Sequence, residues 1–215
     1  MTPFRLLVLA TLVLTAPAAA EAQGGAPPPG LGDLPPAGFG LLNQDDITLG
    51  LSADDIEIRL VPLDERVIRL VANDAYASFH ALVQSKRAAI DSIIRRFGVN
   101  EPGLALVTFF ALRQDARFDP QDLTVSFRNR LIRPIGIVPI SADFTARQLA
   151  VRQQAMALYV FEGPVPIADP FTLTYGAFST DGWQNILQQL QRERANVEGR
   201  ARRAGVDTML RKGPP

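Results

Sequence analysis

The chain has 215 residues, of which 47% are hydrophobic and 20% charged, and its 22 basic residues balance its 22 acidic ones. This is the composition of a folded protein with room for one domain, and the balanced charge excludes a chain-wide basic field for coating nucleic acid and an acidic solvating chain. With no cysteine and a single histidine, His80, the sequence excludes disulfides, thiolate metal sites and multi-histidine metal sites.

Residues 1–22 have the pattern of a signal peptide. Arg5 gives a positive start, residues 6–20 form an apolar run, and Ala20-Glu21-Ala22 places small residues where a signal peptidase reads. The run is shorter than the roughly 20 residues that a membrane-spanning helix needs. We therefore predict cleavage after Ala22 and an exported chain, periplasmic or extracellular, without a transmembrane segment.

Residues 23–40 are predicted to be a disordered spacer. They contain five prolines and six glycines, a composition that sustains neither a helix nor a sheet ladder. The single globular, β-rich domain is expected to span residues 41–198.

Three short strands are expected at the start of this domain. They cover residues 47–49, 56–61 and 67–71. In the second one, Ile56, Ile58 and Leu60 alternate with charged residues, which is the period of a half-buried strand.

An amphipathic helix is predicted over residues 74–97. Asn73 or Asp74 can cap its first turn, and Gly98 stands where a left-handed C-terminal cap belongs. Apolar residues recur along it at helical spacing, which predicts that one face covers something apolar.

Two residues of this helix are weak candidates for an unknown role. His80 lies at the edge of the apolar stripe with no serine or carboxylate one turn away, so we interpret it as an ordinary boundary histidine. Lys86 falls within the stripe, where a lysine either extends past the covering sheet or meets a buried carboxylate. A reactive lysine with a lowered pKa would occupy the same kind of position. No catalytic, metal or cofactor residue is predicted.

The second half of the chain returns to strands. Pro134 and Pro139 place one of them at a sheet edge, because proline cannot donate to the ladder. A turn is expected at Asp119 and a hairpin loop at residues 128–130. Residues 145–158 fit either a helix or a strand, and we choose a strand over 153–162. The other predicted elements are strands at 104–112, 123–127, 131–140 and 171–175, and a helix at 182–203.

The segments 158–164 (LYVFEGP) and 170–175 (PFTLTY) resemble the closing strands of exported bacterial immunoglobulin-like sandwiches of the telokin-like type. The resemblance implies a binding or structural scaffold, and it carries over no catalytic residue.

The sequence of the last helix predicts that its first half packs on the domain and that its end is basic. Its apolar positions are Trp183, Ile186, Leu187, Leu190 and Val197. Residues 199–215 are expected to be a basic, fraying tail, which is either a solvated end or a contact for an anionic membrane or an acidic partner. We expect the solvated end.

These observations predict an α+β, β-rich fold, an antiparallel sandwich with helices at about 74–97 and 182–203. The function they favour is an exported, non-catalytic binding or structural module of the cell envelope, without a cofactor, whose partner is unknown and could be a protein or envelope component. The alternatives are a carrier of an apolar ligand and a carboxylate-based hydrolase of an envelope polymer. The hydrolase stays open because a sequence alone does not give the distance between two carboxylates.

Overall fold

The computed structural model describes residues 34–206. The predicted signal peptide, residues 23–33 of the predicted spacer and residues 207–215 of the predicted tail lie outside the described residues. The described part is an α+β fold dominated by antiparallel sheets, so the predicted fold class is confirmed.

Four α-helices and eleven strands make up this part of the chain. The helices are α1 Glu65–Ile68, α2 Asn73–Ser85, α3 Arg87–Phe97 and α4 Trp183–Arg203. The strands are β1 Leu49–Ala53, β2 Ile56–Pro62, β3 Gly103–Ala111, β4 Ala116–Arg117, β5 Leu123–Phe127, β6 Arg130–Ile132, β7 Pro134–Pro139, β8 Gln148–Leu149, β9 Gln154–Phe161, β10 Thr172–Tyr175 and β11 Phe178–Thr180. Within residues 34–206, no helix is both long and apolar enough to cross a membrane.

Two sheets form the sandwich. The first has the strand order β1-β2-β3-β9-β7, the second has the order β11-β10-β5-β6, and β4 and β8 form a small separate ladder. The sheets meet at both sides, because only Arg133 separates β6 from β7 and because β11 lies beside β1. Aromatic rings fill the space between them: Phe109 stacks on Phe118 at 4.5 Å and meets the edge of Tyr175 at 6.0 Å.

Several predicted strands are confirmed. Alternation located β2, and the continuous apolar run located β3, which lies between two strands and is almost wholly buried. The ambiguous segment is a strand at its end, β9. Arg128 and Asn129 both have positive φ, which is the geometry of the two-residue turn that closes the β5–β6 hairpin. The predicted return strand 131–140 is divided at Arg133, and β7, with both prolines, is an edge strand as expected.

The predicted strand at 67–71 is wrong. Asp64 accepts a hydrogen bond from the backbone N–H of Arg66 and caps α1, and a turn follows as far as Leu70. Val67 and Leu70 are fully buried, so this segment had the apolar content of a strand while forming a short helix.

The segment predicted as one helix at 74–97 forms two helices, α2 and α3, instead of one. The break is at Lys86, whose N–H bonds to the carbonyl of Val83, three residues back. The Ser85 hydroxyl donates to the carbonyl of Leu82. A serine that bonds back to a carbonyl one turn earlier bends a helix, and here it marks the end of α2. Gly98 adopts the predicted left-handed cap after α3.

Both predicted boundaries of the domain lie inside the packed structure. Residues 34–40 are not a spacer, because Pro35 and Gly40 are buried and the carbonyl of Phe39 accepts a hydrogen bond from Arg200. Residues 199–203 are not a fraying tail, because α4 continues through them and Ala201 is fully buried. Arg200 also pairs with Glu193.

Candidate functional site

His80 belongs to a polar cluster that the sequence did not predict. Its Nε2 lies 2.6 Å from Oε1 of Glu65, which is on α1, and its ring centroid is 4.7 Å from that of Tyr76. The sequence analysis expected no carboxylate next to His80 within its own helix, and the structure agrees. The carboxylate comes from a different helix, whose existence the sequence analysis missed.

Glu65 is the centre of this cluster. Its Oε2 accepts hydrogen bonds from Nε of Arg69 at 2.5 Å and from the Tyr76 hydroxyl at 3.3 Å. Burial alone would raise the pKa of Glu65, but the hydrogen bonds from Arg69 and His80 outweigh it and hold the pKa below its ordinary value. Burial, followed by the charge of Glu65, raises the pKa of Tyr76.

The cluster is suited to holding elements together. It joins α1 to α2, and Arg69 also donates to the carbonyl of Pro35 and so fixes the N-terminal segment. Ser78 donates to the carbonyl of Asp74, and within residues 34–206 no serine hydroxyl is hydrogen-bonded to the histidine. A histidine and a carboxylate without a nucleophile do not make a hydrolytic triad.

The stability that this cluster provides should depend on pH. Because the folded-state pKa of Glu65 is lowered, its contribution is complete above the ordinary value of 4.5 and is lost as the pH falls through the lower folded-state value. We expect Glu65→Gln to lower the melting temperature near pH 7, and the difference from wild type to shrink as the pH falls below 4.5 and through the lower folded-state pKa. Thermal unfolding followed by circular dichroism measures this.

Asp91→Asn is the matched control, because Asp91 pairs with Arg87 on an exposed face of α3. An exposed ion pair contributes roughly 0–1 kcal/mol, so this variant should change the melting temperature little at any pH. A Glu65→Gln variant as stable as wild type near pH 7 would contradict the role assigned to the carboxylate.

Lys86 stands at the break that divides the predicted single helix, and its apolar stripe, into α2 and α3. It is the residue between α2 and α3 and is half-buried, and in the described part of the chain its ammonium group forms neither an ion pair nor a hydrogen bond. Lys86 therefore marks the junction of two helices and meets no buried carboxylate.

Many of the carboxylates that could have formed a hydrolytic pair are matched with arginines. Asp55 lies 3.2 Å from Arg113, and Asp64 lies 2.6 Å from Arg66. Glu57 and Asp169 pair in the same way with Arg59 and Arg128. The first and the last of these pairs join separate segments, whereas Asp64–Arg66 and Glu57–Arg59 are local to one element.

The outward side of the second sheet carries a row of hydroxyl groups. Leu123 and Val125 of β5 and Leu173 of β10 are fully buried. Side chains alternate along a strand, so the residues next to these three point away from the core. These are Thr124, Ser126, Thr172 and Thr174, and we call this side of the sheet the hydroxyl face.

The strand register brings these hydroxyls together in pairs. Thr172 lies opposite Ser126, and Thr174 lies opposite Thr124. Directly opposed residues of an antiparallel pair have Cβ atoms about 5 Å apart. Within residues 34–206, none of the four hydroxyls forms a hydrogen bond to the protein. All four are half-buried and available to a ligand.

Two neighbouring concavities lie on this face. One, of about 470 Å³, is lined by Ser126 and Thr172, and the other, of about 430 Å³, by Thr124 and Thr174. Leu131 of β6 lies between them, lines both and is 42% exposed. Both volumes are in the range of small-molecule binding sites.

The rim of the hydroxyl face is polar and close to neutral. Three arginines and two aspartates line the concavities, and one of these arginines, Arg128, is paired with Asp169. Amide side chains also contribute donors and acceptors. The charged and amide residues are Arg128, Arg130, Arg133, Asp122, Asp181, Gln121, Asn129 and Gln184.

The hydroxyl face is a surface feature that the sequence analysis missed. The sequence did predict a strand over residues 123–127, which contains Thr124 and Ser126. Nothing in the sequence indicated that β10, more than forty residues later, would pair with this strand in the register that opposes hydroxyl to hydroxyl.

No family model, no curated protein and no solved structure matches this chain. The resemblance to exported immunoglobulin-like sandwiches therefore stays a prediction, and function has to be argued from the geometry of the described residues.

Proposed function

We propose that the protein is an exported, non-catalytic binding module of the cell envelope, and that its ligand lies on the hydroxyl face. One observation carries this proposal: four hydroxyls, opposed in pairs across two strands, have no partner in residues 34–206 and line two adjoining concavities. A hydroxyl both donates and accepts, so this face offers a dense array of hydrogen-bonding groups to a polar ligand.

The carboxylates of this face favour binding over hydrolysis. Asp181 lines the larger concavity and Asp122 lines the smaller one. Glycoside hydrolysis ordinarily needs two carboxyl groups flanking one bond. Each concavity has only one aspartate among its lining residues, and neither is lined by a histidine or lysine.

The helix–sheet contact does not favour the alternative of an apolar-ligand carrier. Such a carrier would hold its ligand between the helices at 73–97 and the first sheet. Ile93 of α3 lies directly on Gly136 of β7, so closely that a Cβ atom at Gly136 would come within 2.6 Å of it. At this contact the helix and the sheet leave no space for a ligand.

Export and an envelope location rest on the sequence. Residues 1–22 have the order of a signal peptide: a positive start, an apolar run and small residues before the proposed cleavage. A chain without cysteine must then be stabilised by its apolar core outside the cytoplasm, and the large buried core of the sandwich meets this requirement.

Co-sedimentation with a washed bacterial envelope fraction tests the proposed function. The full chain is expressed, recovered from the exported fraction and checked by intact mass for a start at Gln23. We expect it to sediment with envelope material and to leave that material chemically unchanged. Ser126→Arg should abolish sedimentation, because a long charged side chain would cover the paired hydroxyls.

Ser52→Arg is the matched control for this experiment. Ser52 is also an outward-facing serine of a strand, but it lies on β1 in the first sheet. The Ser52→Arg variant should sediment with envelope material as wild type does. Equal loss in both variants, retention in both, recovery only as the full-length chain in the membrane, or release of fragments from the envelope material would each contradict the proposal.

A further inference from the structure

We propose that the ligand of the hydroxyl face is a neutral, linear glycan that spans both concavities. This inference rests on the proposed function, since it names the chemical class of ligand for the same face. It is argued from the charge of the rim, from the arrangement of the hydroxyls and from the exposed leucine between the concavities.

The charge of the rim favours a neutral ligand. A polyanion would be attracted by Arg130 and Arg133 but repelled by Asp122 and Asp181. A polycation would be attracted by the two aspartates and repelled by the two arginines. Charged ligands are recognised by surfaces with an excess of one sign. Here both signs surround a neutral centre, and Arg128 is already paired with Asp169 at 3.1 Å.

The four hydroxyls favour a ligand that repeats along its length. Successive outward residues of a strand are about 6.6–6.8 Å apart, so the two opposed pairs present the same donor and acceptor groups twice. A linear glycan also repeats its hydroxyls, ring by ring, and each can donate and accept in turn. A peptide strand would instead be expected to bind the backbone of a sheet edge.

Leu131 provides the apolar contact that a sugar ring needs. It lies opposite Ser126 in the register, beside the hydroxyls. A pyranose ring has hydroxyls around its edge and C–H groups on its faces. A ring that packs its C–H groups on Leu131 can direct its hydroxyls into both concavities, and binding across both requires more than one sugar unit.

Titration with soluble neutral oligosaccharides tests the inference. The probes are cello-, chito- and malto-oligosaccharides of two to six units, added to the full exported chain in a calorimeter. For at least one series, we expect affinity to rise with length and to change little with salt, because screening affects charged contacts. The double variant Thr124→Val and Thr174→Val should weaken binding about tenfold or more, as the loss of two hydrogen bonds predicts.

Thr108→Val is the matched control. Thr108 is also a half-buried, outward-facing threonine of a strand, but it lies on β3 in the first sheet. Valine has the shape of threonine and suits a strand, so all three substitutions should leave the melting temperature close to that of wild type. Weakening of binding by Thr108→Val as strong as by the double variant would overturn the inference.

The envelope experiment separates failure of this inference from failure of the proposed function. If the chain sediments with envelope material through the hydroxyl face but binds none of the three oligosaccharide series, the glycan inference is wrong and the proposed function stands. The same holds if it binds dextran sulfate or polylysine in a salt-sensitive way and no neutral glycan. If wild type binds neither envelope material nor oligosaccharide, both are wrong.

Discussion

The substitution Gly40→Ala is expected to destabilise the protein by about 3 kcal/mol, the upper end of the usual range for an overpacked site. A Cβ atom at this position would overlap the backbone carbonyl group of Leu70 and the carbonyl oxygen of Val71. Backbone atoms cannot rotate away as the end of a side chain can. For a chain of this size the melting temperature should fall by roughly 6–12 °C, which a thermal unfolding experiment measures.

The neighbouring backbone has little freedom to absorb this overlap. Leu42 donates to the carbonyl of Leu70 and accepts from the N–H of Ala72, so the N-terminal segment is fixed along this turn. Arg200 of α4 holds the same segment by a hydrogen bond to the carbonyl of Phe39. An added methyl group therefore has to displace the segment from both the turn and α4.

Gly50→Ala is the control for the change from glycine to alanine. Gly50 lies on β1 facing outward, and a Cβ atom there meets nothing within 4 Å. Alanine in a strand is no worse than glycine, so this variant should be as stable as wild type or slightly more so. Equal melting temperatures for the two variants would mean that residues 34–40 do not pack on the domain as described.

The sheets were the more predictable part of the fold because each strand left a local pattern. Alternation of Ile56, Ile58 and Leu60 located β2, and a continuous apolar run located β3. The hairpin loop predicted at residues 128–130 is the tight turn in which Arg128 and Asn129 have positive φ. Such patterns depend only on near neighbours, and these predictions held to within a few residues.

The failures have a common physical origin in contacts between distant segments. Prolines and glycines before Leu41 indicated a spacer, but the segment from Leu34 on is held by a turn and a helix far away in sequence. Residues 67–71 had the apolar content of a strand, but Asp64 caps a four-residue helix that includes Val67. Apolar content alone does not distinguish a short helix from a short strand.

The candidate sites were less predictable than the fold for the same reason. His80 was correctly placed on a helix, but its carboxylate partner is Glu65 on another helix. The hydroxyl face depends on the pairing of β5 with β10, which no local pattern specifies. Arg194 is different, because its signal was present in the sequence: it falls on the apolar spacing of α4, between Leu190 and Val197.

Replacing this arginine with methionine is expected to stabilise the protein. Arg194 is only 2% exposed, and its Nε and Nη1 have no hydrogen-bond partner within residues 34–206. Its ion pair is a loose one, with Nε 3.4 Å from Oε1 of Glu198. Methionine fills a similar volume without burying a charge, and Glu198, whose side chain is 26% exposed, remains accessible to water when its partner is removed. Arg194→Met should therefore raise the melting temperature by several degrees.

The partner should show the opposite effect, and the two effects should be coupled. Glu198→Gln removes the carboxylate charge that faces the buried guanidinium, so it should destabilise wild type by about 1–3 kcal/mol and have almost no effect in the Arg194→Met background. Arg192→Met, at an exposed position of the same helix, controls for the change of side chain and should stay within about 0.5 kcal/mol of wild type. A clear loss of stability in Arg194→Met would contradict this account, because it would mean that the buried guanidinium is well paired in the folded protein.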